Sequence, residues 1–149
     1  MTNNASILPA MAFTAACLRS LEETPSPVPF EVIVVDDASS DDSASLLPTV
    51  QGLHYLRNAE NLGFIGSCNR GAEAARGEFV FFLNNDTQVT EGWLEPLINV
   101  FRQRSDAGLV GSRLVYPDGS LQECGGLVFS DGSGWNLRSR EAEAANLSR

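Results

Sequence analysis

The sequence contains no lysine and only one histidine, His54, among its 149 residues. Walker-type phosphate loops, Schiff-base enzymes and Ser–Lys nucleophiles all need lysine, so these classes are excluded. Zinc sites built on two or more histidines are excluded too, and a catalytic triad would have to use His54. Ten arginines against nineteen acidic residues give a net charge of -9, which disfavours a nucleic-acid binder.

Cysteine is also scarce, and long apolar runs are absent. Cys17, Cys68 and Cys124 are odd in number and none is spaced as Cys-x-x-Cys, which indicates neither a disulfide framework nor a zinc ribbon. No window reaches the ~18 apolar residues of a membrane span, and residues 1–4 carry no basic side chain ahead of an apolar stretch. We therefore expect a cytoplasmic protein with reduced thiols, whose association with the inner membrane, if any, runs through regions outside this chain.

The residues that are present predict one globular domain over residues 1–149, with a loose tail at 138–149. Apolar side chains make up 43% of the chain and charged ones 19%, a composition that supports a buried core.

The pattern of apolar residues predicts alternating helices and strands. Amphipathic spacing predicts helices at 10–21, 42–47, 65–75 and 91–104. Apolar runs predict strands at 31–36 and 79–83, both buried on two faces, and at 53–57, 109–116 and 127–129. Because parallel strands need crossover connections, this alternation predicts an α/β fold with a largely parallel sheet, whose ligands bind at the carboxyl ends of the strands.

An acidic pair, Asp36 and Asp37, follows the first predicted strand. Carboxylates in this position can accept hydrogen bonds from a base N–H or a ribose hydroxyl. Capping of the short helix that follows is the alternative use of the same side chains.

A second polar segment, residues 84–87, follows the strand predicted at 79–83. Mg²⁺ and Mn²⁺ take oxygen ligands, commonly one or two carboxylates together with phosphate and water. Asp86 supplies a carboxylate and Asn84 an amide oxygen, and a cation held there would neutralise a diphosphate leaving group. A polar turn without a ligand is the alternative.

Three glycines, Gly63, Gly66 and Gly71, lie at and around the start of the helix predicted at 65–75. Glycines at a helix start let the backbone approach a phosphate, and Arg70 could pair with an anion. Their spacing is not the dinucleotide-binding Gly-x-Gly-x-x-Gly pattern, and close helix–sheet packing is the alternative reason for them.

The combination of these segments resembles the family 2 glycosyltransferases. The resemblance covers about residues 10–130 and is carried by Phe30–Asp42, Asn61–Phe64, Asn69–Gly71 and Gly77–Thr87. The Asn-Asn-Asp form of residues 84–86 is similar to the rhamnosyltransferase-like branch, which builds bacterial surface polysaccharides. The resemblance implies the GT-A fold, a Rossmann-like and mostly parallel sheet with helices on both faces. It also implies transfer of a sugar from a nucleotide-diphosphate donor to a hydroxyl acceptor.

The same resemblance implies a role for each matching residue. Asp37, with Asp36 beside it, would bind the base and ribose of a UDP-, dTDP- or GDP-linked donor, and the acceptor would be a glycan or a lipid-linked sugar. Asp86 would hold Mg²⁺ or Mn²⁺ on the diphosphate, while Asn84 replaces the first aspartate of the family's Asp-x-Asp motif. The nucleotide-binding candidates are Asp36, Asp37, Ser39, Asn61, Gly63, Asn69, Arg70 and Asn85, and the metal-binding candidates are Asp86 and Asn84.

Two departures from the family pattern lead us to expect a chain truncated at both ends. Relatives open with a buried strand, of which only residues 6–9 resemble a remnant, and the acceptor half with its catalytic base is expected beyond Arg149. No catalytic residue is therefore assigned; Asp118, Glu123 and Asp131 are candidates by charge only. The alternative function is a catalytically inactive nucleotide-binding module, which would expose sheet edges and self-associate. A nucleotidyltransferase-like enzyme is a third hypothesis, but no arginine precedes Arg19 to build its basic phosphate loop.

Overall fold

The computed structural model describes residues 10–136, whose contacts divide into two compact units, residues 10–91 and 92–136. The first unit contains helix α1 (Ala10–Glu23), strand β1 (Val32–Asp36), helix α2 (Ser43–Leu46), a 3₁₀ turn (Leu47–Thr49), strand β2 (Leu53–Arg57) and helix α3 (Gly63–Ala74). The second contains helix α4 (Glu95–Gln103) and strands β3 (Leu114–Val115), β4 (Leu121–Glu123), β5 (Gly126–Val128) and β6 (Gly134–Asn136). The tail predicted at 138–149 lies outside the described residues.

The first unit is built on a parallel strand pair, as the sequence predicts for an α/β fold. Strands β1 and β2 pair in a register that places Val32 opposite Leu53 and Asp36 opposite Arg57. Helix α3 packs on β1, and a Cβ atom added to Gly71 would lie 3.3 Å from Cγ2 of Val35. Close helix–sheet packing is thus the reason for this glycine. Strand β1 is only half-buried along Val32–Val35, so the expectation of burial on both faces is wrong there.

Helix α1 has one buried face. Its buried residues recur at helical spacing and are Thr14, Cys17, Ser20 and Leu21. Three of these four side chains carry a hydroxyl or thiol group, which is unusual for a helix face that packs inward. The polar groups find partners in the loops described below.

The strand predicted at 79–83 is not part of any sheet among the described residues. Its apolar side chains are substantially exposed, with Val80 at 46% and Phe82 at 57%. A buried parallel strand needs ladder neighbours, and the parallel ladder within residues 10–136 consists of β1 and β2 alone. The prediction of a buried strand at 79–83 is therefore wrong for the described residues. The run has residue types typical of a strand but no strand to pair with.

In the second unit, helix α4 begins later and the strand predicted at 109–116 is shorter than the sequence predicts. Helix α4 starts at Glu95 rather than residue 91 because Pro96, which has no N–H, is best accommodated in a first turn. Leu94 and Ile98 form its buried apolar residues. The strand predicted at 109–116 is reduced to Leu114–Val115, paired antiparallel with β4 across the turn at 117–119, and Leu109 is 90% exposed.

Strands β5 and β6 form a second antiparallel hairpin, and β5 (Gly126–Val128) overlaps the strand predicted at 127–129.

No helix within residues 10–136 is long and apolar enough to cross a membrane.

Candidate functional site

Asp36, the last residue of β1, is 5% exposed and fully engaged inside the first unit. Its carboxylate accepts hydrogen bonds from the Ser39 backbone N–H (2.8 Å), the Tyr55 hydroxyl (2.5 Å) and the Arg57 guanidinium. Burial alone would raise the pKa of Asp36, but the hydrogen bonds from Tyr55, Ser39 and Arg57 outweigh it and lower the pKa to about 2. Asp36 is therefore ionised at neutral pH and fixes the loop that follows β1.

Asp37 spans the gap between β1 and the start of α3. Its Oδ1 accepts from Asn58 Nδ2 (2.6 Å) and from the Leu62 backbone N–H (2.8 Å), and its Oδ2 accepts from the Gly63 N–H (2.8 Å). The hydrogen bond from Asn58 and those from the two backbone groups lower the pKa of Asp37, against the raising effect of desolvation. Asp37 therefore caps a helix, but that helix is α3 and not the short α2 that follows it in sequence.

The short helix α2 has its own acidic partner, since Asp41 Oδ1 accepts from the Ser43 backbone N–H at 3.0 Å.

The capping of α3 by Asp37 limits what the start of this helix can bind. Two N–H groups at the start of α3 are already occupied by a carboxylate, so they are not presented to a phosphate in this structure. The glycine-rich helix start thus acts as a docking point for Asp37.

Asn58 joins the two sides of this cluster, and sequence reasoning missed it. Its side chain is 1% exposed; Nδ2 donates to Asp37 Oδ1 and to Ser67 Oγ (3.1 Å), and Oδ1 accepts from the Arg70 guanidinium. The backbone N–H of Asn58 also donates to the Asp36 carbonyl at 2.8 Å. Only one sequence signal could have found it: Asn58 directly follows β2, at the same sheet edge as Asp37.

Arg70, Ser39 and Asn61 lie at or near this edge. Arg70 donates to the Arg57 carbonyl (2.8 Å) as well as to Asn58, so part of its guanidinium is used within the fold. The Ser39 carbonyl accepts from Arg57 at 2.9 Å, and Asn61 Oδ1 accepts from the Gly63 N–H at 3.0 Å.

Asn69 is the exception among these candidates. It is exposed on α3, and its side chain makes no hydrogen bond with the residues that the structure describes. The structure therefore brings together Asp36, Asp37, Ser39, Asn61, Gly63 and Arg70, and leaves Asn69 beside them on the surface of the helix.

The second candidate segment, residues 84–87, forms a turn that presents Asp86 to solvent. The Thr87 hydroxyl and N–H both donate to the Asn84 carbonyl, at 2.6 Å and 3.2 Å, which closes the turn. Asn84 and Asp86 are exposed, and the Asp86 carboxylate accepts no hydrogen bond from the described part of the chain. The polar turn expected as the alternative is present, and it leaves a carboxylate available for a ligand.

Helix α1 holds this turn through three side chains on its buried face. Asn85 Nδ2 donates to Thr14 Oγ1 at 3.0 Å, the Cys17 thiol points at the Asn84 carbonyl oxygen at 3.8 Å, and the Val89 N–H donates to Ser20 Oγ at 3.0 Å. Burial raises the pKa of the Cys17 thiol, and the negative charge of Asp86 raises it further. The acidic side chain therefore lies within electrostatic range of α1.

The same helix also contacts the start of α2. The Ser43 hydroxyl lies 3.7 Å from the sulfur of Met11, three residues before Thr14 on α1. A three-residue step is a rise of about 4.5 Å along a helix, so the start of α2 and the 84–87 turn both contact the first turns of α1. Ser43 and Asn84, which are 41 residues apart in sequence, thus lie against one helix.

The residues of the 84–87 turn fit a cation that arrives with a phosphate ligand. Among residues 10–136 no three histidine, cysteine, aspartate or glutamate side chains are grouped as a resident metal site would need. Mg²⁺ bound through one carboxylate completes its coordination with phosphate oxygens and water. Asp86 with the neighbouring Asn84 amide matches that donor set, and a cage formed by protein side chains alone does not.

Two of the carboxylates considered as a catalytic base shape hairpin turns in the second unit. Asp118 Oδ1 accepts from the Ser120 N–H (2.9 Å) and hydroxyl (2.6 Å), and Asp131 makes the same two bonds to Ser133 at the same distances. These hydrogen bonds lower the pKa of both carboxyls, whereas a general base works best with a pKa near the operating pH. Glu123 lies at the end of β4.

Residues 11–140 match the family model described as glycosyl transferase family 2, so the chain belongs to that family and has its GT-A fold. A putative polypeptide N-acetylgalactosaminyltransferase 13 from Drosophila melanogaster is 41% identical over 110 residues, which are 65% of this chain and 19% of that protein. The uncharacterized protein MT1568 of Mycobacterium tuberculosis is 38% identical over 104 residues, which are 68% of this chain and 32% of that protein.

A third relative is the O-antigen biosynthesis protein RfbC of Myxococcus xanthus. It is 40% identical over 65 residues, which are 43% of this chain and 5% of that protein. The chain thus spans about a third or less of the length of each of these relatives.

Proposed function

We propose that this chain is the donor- and metal-binding portion of a glycosyltransferase that uses a UDP-, dTDP- or GDP-linked sugar. The observation that carries the proposal is that α1 contacts both the 84–87 turn, which presents Asp86, and Ser43, which follows the loop containing Asp36 and Asp37, within a chain that belongs to the family. A nucleoside diphosphate has a neutral base and ribose at one end and a charged diphosphate at the other, which suits this pair of loops.

In this proposal the loop after β1 receives the base and ribose. The Asp37 side chain is held by Asn58 and by the backbone N–H groups of Leu62 and Gly63, and it is only half-buried. A ribose hydroxyl or a base N–H would reach it from its solvent-exposed side. Ser39, Asn61 and Asn69 supply further polar groups nearby, and the guanidinium nitrogens of Arg70 that the fold does not use are available to an anion.

The 84–87 turn would hold Mg²⁺ or Mn²⁺ through Asp86 and Asn84. A divalent cation bound there neutralises the charge that develops on the leaving diphosphate. Asn85, named above as a nucleotide-binding candidate, uses its amide N–H to hold the turn. An inverting transfer also needs a carboxylate to deprotonate the acceptor hydroxyl, and we assign that role to no residue of this chain.

We further propose a role in bacterial surface polysaccharide synthesis, with a hexosyl or rhamnosyl donor and a glycan or lipid-linked acceptor in the cytoplasm. The Asn-Asn-Asp form of the metal motif and the similarity to an O-antigen biosynthesis protein support it. Self-association is part of the same proposal, since Val80 and Phe82 are exposed in a segment outside the described sheets.

A turnover assay separates this function from the alternative of an inactive nucleotide-binding module. The chain is incubated with Mn²⁺ and each of several UDP-, dTDP- and GDP-sugars, with and without glycan acceptors, and release of the nucleoside diphosphate is measured. Acceptor-dependent release that disappears in Asp86→Asn supports the transferase. Saturable nucleotide binding without release, under every donor and acceptor tried, supports the module instead.

A further inference from the structure

Helix α1 carries a hydroxyl group that touches the proposed metal-binding turn without being able to reach a ligand. Thr14 is 8% exposed, and its Oγ1 donates to the Ala10 carbonyl (3.2 Å) while accepting from Asn85 Nδ2 (3.0 Å). A hydroxyl has one proton to donate, so the bond to Ala10 fixes its orientation and leaves a lone pair for Asn85. The link from helix backbone to turn side chain is therefore directional.

This link is the contact between α1 and the side chain that directly precedes Asp86. Asn85 is otherwise an exposed residue of a short turn, and an exposed asparagine side chain has several accessible rotamers. The bond to Thr14 selects one of them. The neighbouring contacts of Cys17 and Ser20 bind backbone atoms of residues 84 and 89, so they position the chain on either side but do not fix the Asn85 side chain.

We propose that Thr14 is a positioning residue for the metal-binding turn: its hydroxyl anchors Asn85 and so holds Asp86 where it meets the diphosphate-bound cation. The proposal rests on the proposed function for the role of Asp86. The physical basis is preorganisation, because a turn that is already fixed loses less conformational entropy when its ligand binds. Thr14 acts through Asn85 and makes no contact with substrate.

The test uses the whole 149-residue chain and two conservative changes. Thr14→Val keeps the shape of the side chain and removes the hydroxyl, whereas Thr14→Ser keeps the hydroxyl. Thr49→Val is the matched control, because the Thr49 hydroxyl also donates to a helical backbone carbonyl, that of Leu46 at 2.7 Å, but is exposed and contacts neither loop. Circular dichroism and thermal unfolding confirm that each variant is folded.

The first readout is amide hydrogen exchange without any ligand. In Thr14→Val we expect exchange at Thr87 to rise about fivefold, the change that follows from losing one ordinary hydrogen bond, with the exchange of β1 and β2 unchanged. Thr14→Ser and Thr49→Val should leave Thr87 as in the unchanged protein. Equal exchange at Thr87 in all four proteins, or a rise that extends equally over the whole unit, overturns the proposal.

The second readout is the Mn²⁺ concentration that gives half-maximal enhancement of UDP, dTDP or GDP binding. This Mn²⁺ concentration should be about fivefold higher in Thr14→Val than in the unchanged protein. Thr14→Ser and Thr49→Val should have the same value as the unchanged protein. If the unchanged protein shows metal-dependent binding that needs Asp86 while Thr14→Val behaves like it, the positioning role is wrong and the proposed function stands. If the unchanged protein shows no metal-dependent binding, the proposed function fails, and the positioning role fails with it.

Discussion

The side-chain amide of Asn58 donates a 2.6 Å hydrogen bond to Oδ1 of Asp37, and both groups lie where the two parallel strands end. The same carboxylate caps α3, while the other end of Asn58 accepts from Arg70 on that helix. One buried asparagine therefore ties β1, β2 and α3 together beneath the loop proposed to bind the nucleotide. Rigidity at this loop is built from hydrogen bonds, since the strand residues around it are only half-buried.

Replacing Asn58 should destabilise the protein more than any exposed asparagine. Asn58→Ala removes one hydrogen bond from Asp37 and one from Arg70 in the interior of the unit, and we expect the free energy of unfolding in urea to fall by about 2–3 kcal/mol. Asn69→Ala, on the exposed face of α3, serves as the control and should change it by less than about 0.5 kcal/mol. Equal free energies of unfolding for the two variants would show that the hydrogen bonds of Asn58 make no net contribution to stability.

The hydrogen bonds of Asp36 should make stability depend on pH in the acid range. The folded pKa of about 2 is below the ordinary value of 3.8, so the ionised form stabilises the fold fully above about pH 5 and this contribution is lost as pH falls toward 2. The contribution of Asp36 to the free energy of unfolding should fall by about 2 kcal/mol. Urea unfolding at pH 6, 4, 3 and 2 measures this change.

Removing one donor to Asp36 isolates this contribution from that of the other carboxylates. Tyr55→Phe deletes the 2.5 Å hydrogen bond, so the pKa of Asp36 should rise and the acid-induced loss of stability should shrink by about 1 kcal/mol. Tyr116→Phe, in an exposed position of the second unit, should leave the pH profile unchanged. Identical profiles for both tyrosine variants would rule out Tyr55 as a determinant.

Gly63 should be required for its backbone conformation and not for space. Its φ is +72°, and a Cβ at this position would meet no heavy atom within 4 Å. Gly63→Ala should therefore cost about 1–2 kcal/mol of unfolding free energy through left-handed strain alone. Gly108→Ala, which also has open space but no positive φ, is the matched control and should cost less; equal costs would contradict the argument.

The sequence predicts those elements whose formation depends on local pattern. The apolar runs at 32–36 and 53–57 are strands, and α1 and α3 lie close to their predicted positions. The run at 79–83 is wholly apolar, yet it forms no sheet with the described residues because strand pairing depends on neighbours that a local pattern does not specify.

In the candidate site, too, the local pattern predicts some features, and others depend on residues distant in sequence. The apolar runs before them identify Asp37 and Asp86 as candidates, and the structure places Asp37 at the start of α3 and Asp86 in a turn held by α1. The local pattern does not predict the partner of Asp37, since Asn58 contacts it across a distance of 21 residues in sequence. That contact depends on the parallel register of β1 and β2, which residue spacing alone does not reveal.

The most direct test of the account is calorimetric titration of the chain with UDP, dTDP and GDP, in the presence and absence of Mn²⁺. Asp106→Asn, an exposed carboxylate change of equal charge in the second unit, is the control for Asp86→Asn. We predict that Mn²⁺ strengthens binding of at least one of these nucleotides in the unchanged protein and in Asp106→Asn, and that this enhancement disappears in Asp86→Asn. Enhancement that survives in Asp86→Asn, or its absence from the unchanged protein, would contradict the assignment of the 84–87 turn as the metal-binding element.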